Sequence, residues 1–232
     1  GFLGSLPPER VDPEVLAIRD AAFAGDLARI LPWAAARSSL ASLEGVTTPV
    51  FMMQGRRDFA FGIDQATRAW AKLAGPKRLW VGLHGHAPSS FPAPDSTAML
   101  AEGAQWFDLH LRGASTSLDL TRRIAIAPES WTGAPARFAT LPKVEPTRIA
   151  LTGTRTITQQ GKAQRTSARL ARPLEVFGSP LVKVTATASG GWSRLVAVLS
   201  ARTPAGKEIV VAGGAVPTRA GRRTYTIALS NQ

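Results

Sequence analysis

An acid and a histidine stand in this chain in the order that serine-dependent acyl transfer uses. Asp58 follows the strand-like run Thr48-Pro49-Val50-Phe51-Met52-Met53-Gln54-Gly55, and twenty-eight residues later His86 follows a second run, Arg78-Leu79-Trp80-Val81-Gly82-Leu83. An imidazole can take a proton from a serine hydroxyl and return it near neutral pH; a fixed carboxylate orients the ring and stabilises its charged form. One known arrangement of this machinery runs nucleophile, acid, histidine along the chain, each on a loop at the carboxyl end of a parallel strand. The acid and base are here and the nucleophile is not. No serine lies in a Gly-x-Ser-x-Gly turn, and the nearest imitation, Gly191-Trp192-Ser193-Arg194-Leu195, lacks the second glycine and falls beyond the histidine.

The histidine loop, Gly82-Leu83-His84-Gly85-His86-Ala87-Pro88-Ser89-Ser90, offers two bases. His86 has the Gly-His setting common for such histidines, whereas His84 is nearer the strand end and is the rival base. Both could instead be loop histidines with structural hydrogen bonds only. Asp58 could likewise be no more than an ion pair with Arg56 or Arg57, which at a surface would contribute little. Asp64 reads as a helix cap and Asp95 as part of the turn Pro94-Asp95-Ser96. His110 falls in the last turn of a helix, where a cationic ring suits the helix dipole. Trp70, Trp80 and Trp106 read as core, and Trp33, Trp131 and Trp192 lie outside the strong periodic runs. No His/Asp/Glu cluster has metal-ligand spacing and no Gly-rich phosphate loop follows a strand, so neither a metal nor a cofactor is expected.

The elements that would hold these residues alternate between strand and helix. Asp12-Pro13-Glu14 opens a helix, with Asp as N-cap and Pro at the first position, expected to end near Leu31-Pro32. After the first strand, Asp64 is expected to cap a helix running to Gly75; after the second, Ser96 one running to Gly113. Both strands are apolar on successive residues, as parallel strands covered on both faces are. Two strands alone make no stable sheet, which predicts further strands from outside the chain. From about Leu118 the pattern becomes short strands with turns between them: Arg122 to Ala127, Thr147 to Thr152, Leu181 to Ala188, Arg194 to Ala201, Glu208 to Ala212 and Thr224 to Leu229. Thr203-Pro204-Ala205-Gly206-Lys207 reads as a turn. The fold class is α/β followed by all-β, with residues 1–114 as the α/β portion and residues 115–232 as a β-sandwich or jelly roll, expected to be truncated.

Composition agrees with two parts. The chain has 232 residues, 44% of them hydrophobic, enough for a substantial core. Its net charge of +12 is unevenly placed: residues 1–114 hold eleven basic and eleven acidic side chains, residues 115–232 seventeen against five. A basic half could contact an anionic surface, but its arginines are dispersed singly, as in a domain kept soluble by charge, and nucleic acid is not an expected partner. No apolar run is long enough to cross a bilayer as a helix, and the first residues do not read as a signal peptide. With no cysteine the chain forms no disulfide or thiolate site, which fits cytosol and exterior equally.

Four segments together resemble the X-prolyl dipeptidyl-peptidase and cocaine-esterase-like acyl hydrolases. They are the Thr-Pro-Val-Phe-Met-Met-Gln-Gly-Arg-Arg-Asp stretch ending at Asp58, the Gly85-His86-Ala87-Pro88-Ser89 loop, the helix end Trp106-Phe107-Asp108-Leu109-His110-Leu111-Arg112-Gly113, and Leu174-Glu175-Val176-Phe177-Gly178-Ser179-Pro180. The resemblance implies the carboxyl-terminal portion of an α/β-hydrolase domain followed by a jelly roll, with residues 1 to about 42 as the end of a helical cap. It implies Asp58 as triad acid and His86 as triad base. The family's nucleophile and oxyanion tyrosine match no residue of this sequence. The implied whole is a serine hydrolase, esterase or dipeptidyl-peptidase, that cleaves a small acyl ester or peptide through an acyl-enzyme. A missing amino-terminal segment or a second polypeptide would complete it, and this chain alone is expected to be inactive. The alternative is a non-catalytic binding module whose basic β-domain recognises an anionic surface or glycan.

Overall fold

A computed structural model describes residues 8–58, 61–86, 91–128, 131–143, 145–158, 161–172, 174, 177–189 and 191–231. Ala87 to Ser90 of the histidine loop, and Glu175 and Val176 of the segment Leu174–Pro180, lie outside the described residues. The backbone divides into two compact units, residues 1–46 and 47–232.

In the first unit, Asp12 caps α1 (Pro13–Ala24), its Oδ1 accepting from the Glu14 N–H at 2.7 Å. The expected single helix to Leu31-Pro32 is instead two. Gly25 adopts the left-handed conformation at φ 71°, and Asp26 caps α2 (Leu27–Ala36) by accepting from the Arg29 N–H. Glycine stops the first helix there because it enters the left-handed region without a Cβ penalty. Pro32 lies within α2 rather than ending it. A 3-10 segment, Ser39–Gly45, completes the unit.

The second unit starts with β1 (Val50–Gly55), α3 (Ile63–Lys72), β2 (Lys77–Gly82), α4 (Ala93–Arg112), β3 (Ile124–Ile126) and β4 (Ala136–Phe138). The strands form one sheet in the order β1-β2-β3-β4; β1, β2 and β3 are parallel and β4 antiparallel. Leu79 and Val81 pack with Ile63, Ala66 and Trp70 of α3, while Trp80 between them packs with Met99 of α4. Successive strand side chains point to opposite faces, so α3 and α4 cover opposite sides of β2. That accounts for its unbroken apolar run.

Two helix starts differ from expectation. Asp64 lies inside the first turn of α3, which begins at Ile63 after Gly62, and pairs with Arg68 at 2.8 Å. Ser96 lies inside α4, which begins at Ala93 after Pro92 without a side-chain cap. In both cases the start falls earlier than the capping-type residue, and at α4 the residue before the helix is a proline, which has no polar side chain to act as a cap. The strand expected over Arg122 to Ala127 belongs to this sheet, as β3, and not to the antiparallel strands that follow. The chain therefore supplies two more strands than the two expected.

The second half of the unit is antiparallel. β5 (Leu181–Ala188) pairs with β8 (Gly221–Ala228), and β7 (Glu208–Pro217) lies between β6 (Arg194–Arg202) and β9 (Ser230–Asn231). Val182 and Val184 of β5, Leu195 and Leu199 of β6, Ala212 of β7, and Tyr225 and Ile227 of β8 share one apolar cluster. The expected turn is formed: the Thr203 N–H donates to the Lys207 carbonyl at 2.8 Å, with Gly206 at φ 80°. No strand forms over Thr147 to Thr152, where Ile149 and Leu151 are exposed and contribute nothing to a core. β7 runs past the expected Ala212 through Gly213 and Gly214. A side chain at Gly214 would strike the Ala228 carbonyl, so this glycine marks a close approach, not a strand end.

Candidate functional site

The carboxyl ends of β1 and β2 form one shelf. Gly55 is level with Gly82 in the parallel register, and beyond it the Arg56 N–H donates to the Gly82 carbonyl at 2.9 Å and the Arg57 N–H to the His84 carbonyl at 3.2 Å. These two bonds continue the ladder past the strands and hold the Asp58 loop against the histidine loop. A Cβ at Gly55 would overlap the His84 backbone, so only glycine allows this approach. The Arg56 guanidinium donates to the Ala127 carbonyl at the end of β3, which ties a third strand to the shelf.

Asp58 is half-buried and its Oδ1 accepts from the Phe61 N–H at 2.8 Å. His86 is exposed, and its ring meets the Phe61 ring edge-on, with centroids 5.7 Å apart. Phe61 therefore touches both residues, its backbone holding the carboxylate and its ring bracing the imidazole. The Gln54 side chain fixes Phe61 in turn, Nε2 donating to the Phe61 carbonyl at 2.9 Å. Neither Phe61 nor Gln54 stands out in the sequence, because a loop phenylalanine and a strand glutamine have no motif.

His84 has different surroundings. Its side chain is 12% exposed, its ring stacks on Phe91 at 5.3 Å, and its Nδ1 lies 3.7 Å from Asp95 Oδ2, beyond hydrogen-bond length. Asp95 is fully buried in the first turn of α4. Its Oδ1 accepts from the Trp80 indole N–H at 2.9 Å and its Oδ2 from the Leu83 N–H at 2.7 Å. Asp95 is thus a buried fastening between α4 and the end of β2, where the sequence suggested only a turn residue. Gly82 makes room for it: a Cβ there would lie 2.5 Å from His84 Nδ1 and 2.7 Å from Asp95 Oδ2.

The two loop histidines differ in exposure: His86 is exposed, and His84 is packed beside the buried Asp95 carboxylate. His110 stands in the last turn of α4, its ring 4.1 Å from that of Trp106. Among the described residues no group of three or more His, Cys, Asp or Glu side chains could hold a metal ion, and no helix is long and apolar enough to cross a membrane. No family model matches the chain, and no curated protein is significantly similar to it.

Proposed function

We propose that this chain supplies the acid and the base of a serine acyl hydrolase, Asp58 orienting His86, with the attacking serine contributed by another polypeptide segment. The observation that carries this reading is the shelf itself: an exposed imidazole and a half-buried carboxylate on adjoining loops at the carboxyl ends of two adjacent parallel strands, both braced by Phe61. Parallel α/β sheets place their reactive groups on that edge. In the proposed step His86 removes the proton from the serine hydroxyl as its oxygen attacks the acyl carbon, then returns it to the departing alcohol or amine. Asp58 holds the ring in the productive tautomer throughout. The whole enzyme so proposed is an α/β-hydrolase domain followed by a jelly roll, acting on a small acyl ester or on a peptide from which it releases a dipeptide.

The test captures the native assembly with a tagged copy of this chain and treats it with a fluorophosphonate probe. The labelled serine is expected outside residues 1–232, and His86→Ala should slow labelling by roughly 10³-fold or more, the scale of losing a triad base. A labelled serine within the chain, or labelling unchanged by His86→Ala, would overturn the reading.

A further inference from the structure

The outer side of α4 carries a pattern that the Asp58 shelf does not use. The helix buries Asp95, Met99, Glu102, Gly103 and Trp106. Along its outer side runs a row of exposed residues, Ala93, Thr97, Leu100, Ala104, Phe107 and Leu111, with gaps of four, three, four, three and four positions. That alternation is the seam spacing of helices that pack side by side, and it keeps the six in one stripe along a helix of 20 residues, about 30 Å long. Leu100 is 63% exposed, Phe107 55% and Leu111 78%.

A helix face that meets water ordinarily carries charged side chains. From Ala93 to Phe107 every exposed position of α4 is uncharged, and the two charged residues in that stretch, Asp95 and Glu102, are buried. Charge appears only beyond it, at Asp108 and Arg112, which pair with each other at 3.1 Å. The stripe also has a direction: its first two members are small, its last two are large, and Leu100 precedes Ala104 in the middle.

This order makes the stripe complementary to itself when reversed. An antiparallel copy centred between Leu100 and Ala104 sets Leu100 on the partner's Ala104, Phe107 on the partner's Thr97 and Leu111 on the partner's Ala93. Every layer then faces a large side chain with a small one, the arrangement that lets two helices interdigitate. A parallel pair would set Phe107 on the partner's Phe107 and leave gaps where the small residues meet. The antiparallel register also brings Asp108 beside the first turn of the partner's α4, which starts without a side-chain cap and where a carboxylate is favoured.

We propose that α4 is a dimer interface, two copies of this chain packing their α4 helices antiparallel about a twofold axis between Leu100 and Ala104. The same patch serves both copies, as a twofold interface requires. A second copy is the occupant because the stripe fits itself in size layer by layer and opposes no exposed like charges.

The chain has no cysteine, so introduced ones report the register. Ala93→Cys and Leu111→Cys chains, mixed and oxidised, should cross-link to each other in preference to either with itself. In sedimentation equilibrium the full chain should pass from monomer to dimer with rising concentration. Leu100→Glu combined with Phe107→Glu should weaken that association by about a hundredfold. Both positions are exposed, so native circular dichroism should persist. Ala104→Trp, which overfills the central layer without adding charge, should weaken it as well. Association unchanged in either variant would place the contact on another surface, such as the edge of β1. Cross-linking of Ala93→Cys with itself would mean a parallel or unspecific contact, and a chain that stays monomeric would leave the stripe to a different polypeptide. Each of these results would overturn the α4 dimer.

Discussion

At the residue scale, Asp58 and Asp95 look alike in sequence, each an aspartate near the end of an apolar strand or the start of a helix. Their surroundings separate them. Asp95 meets a buried indole N–H and a buried backbone N–H, and removing it strands both donors, each costing on the order of 1–3 kcal/mol. Asp95→Ala should therefore lower stability by about 3 kcal/mol in urea unfolding, whereas Asp58→Ala, at a half-buried loop position, should cost less than about 1 kcal/mol. Equal losses would mean that Asp58 is also a structural fastening. Gly82→Ala makes a related point: its Cβ would press on His84 Nδ1 and Asp95 Oδ2 together, and a loss of about 1–3 kcal/mol is expected. The placement of Asp58 and His86 on loops just after two adjacent strands was legible at this scale, because each follows an apolar run that ends in glycine. The bracing by Phe61 and the burial of Asp95 were not, since both depend on contacts across loops.

At the element scale, what the sequence showed well was local and periodic. The run Leu79-Trp80-Val81 announces a strand covered on both faces, and the Asp12-Pro13 start of α1 is written in two residues. What it concealed was partnership. Ile124-Ala125-Ile126 has the same apolar character in either sheet, and only its register with Leu79, Trp80 and Val81 assigns it to the mixed one. The buried network in which Glu102 accepts from the Arg78 and Arg137 guanidiniums was equally hidden, because its members are separated by 24 and 35 residues. Breaking that buried set with Glu102→Ala leaves two guanidiniums without their carboxylate, and a loss of about 3–5 kcal/mol is expected in chemical denaturation. The adjoining loop, whose Asp119 carbonyl accepts from Arg78 Nη1 at 2.8 Å, has a pH signature. The Thr121 hydroxyl and the Arg122 guanidinium hold the Asp119 carboxyl below its ordinary value of 3.8, so its contribution is complete above that pH and declines as the pH falls below it. The stability advantage of the native chain over Asp119→Asn should be constant from pH 6 to about pH 4 and shrink as the pH falls below about 4; an advantage that grew on acidification would contradict the Thr121 and Arg122 contacts.

At the scale of the whole molecule, β1 pairs with β2 and, among the described residues, with no second strand, and Met53 on it is 54% exposed. An apolar strand with a free edge favours association, so the isolated chain should self-associate at micromolar concentration in sedimentation velocity; a stable monomer that unfolds cooperatively would argue that the sheet needs no further strand. Completion of that sheet is where the proposed serine would enter, but what the chain must already contain is an oriented base. That is measurable without the serine. Long-range proton–nitrogen NMR of the chain, at a pH where its imidazoles are neutral, reports which ring nitrogen of each histidine carries the proton. His86 is expected as the Nδ1–H tautomer, reverting to a mixed or Nε2–H population in Asp58→Asn. A His86 already mixed in the native chain and indifferent to Asp58→Asn would contradict its orientation by Asp58.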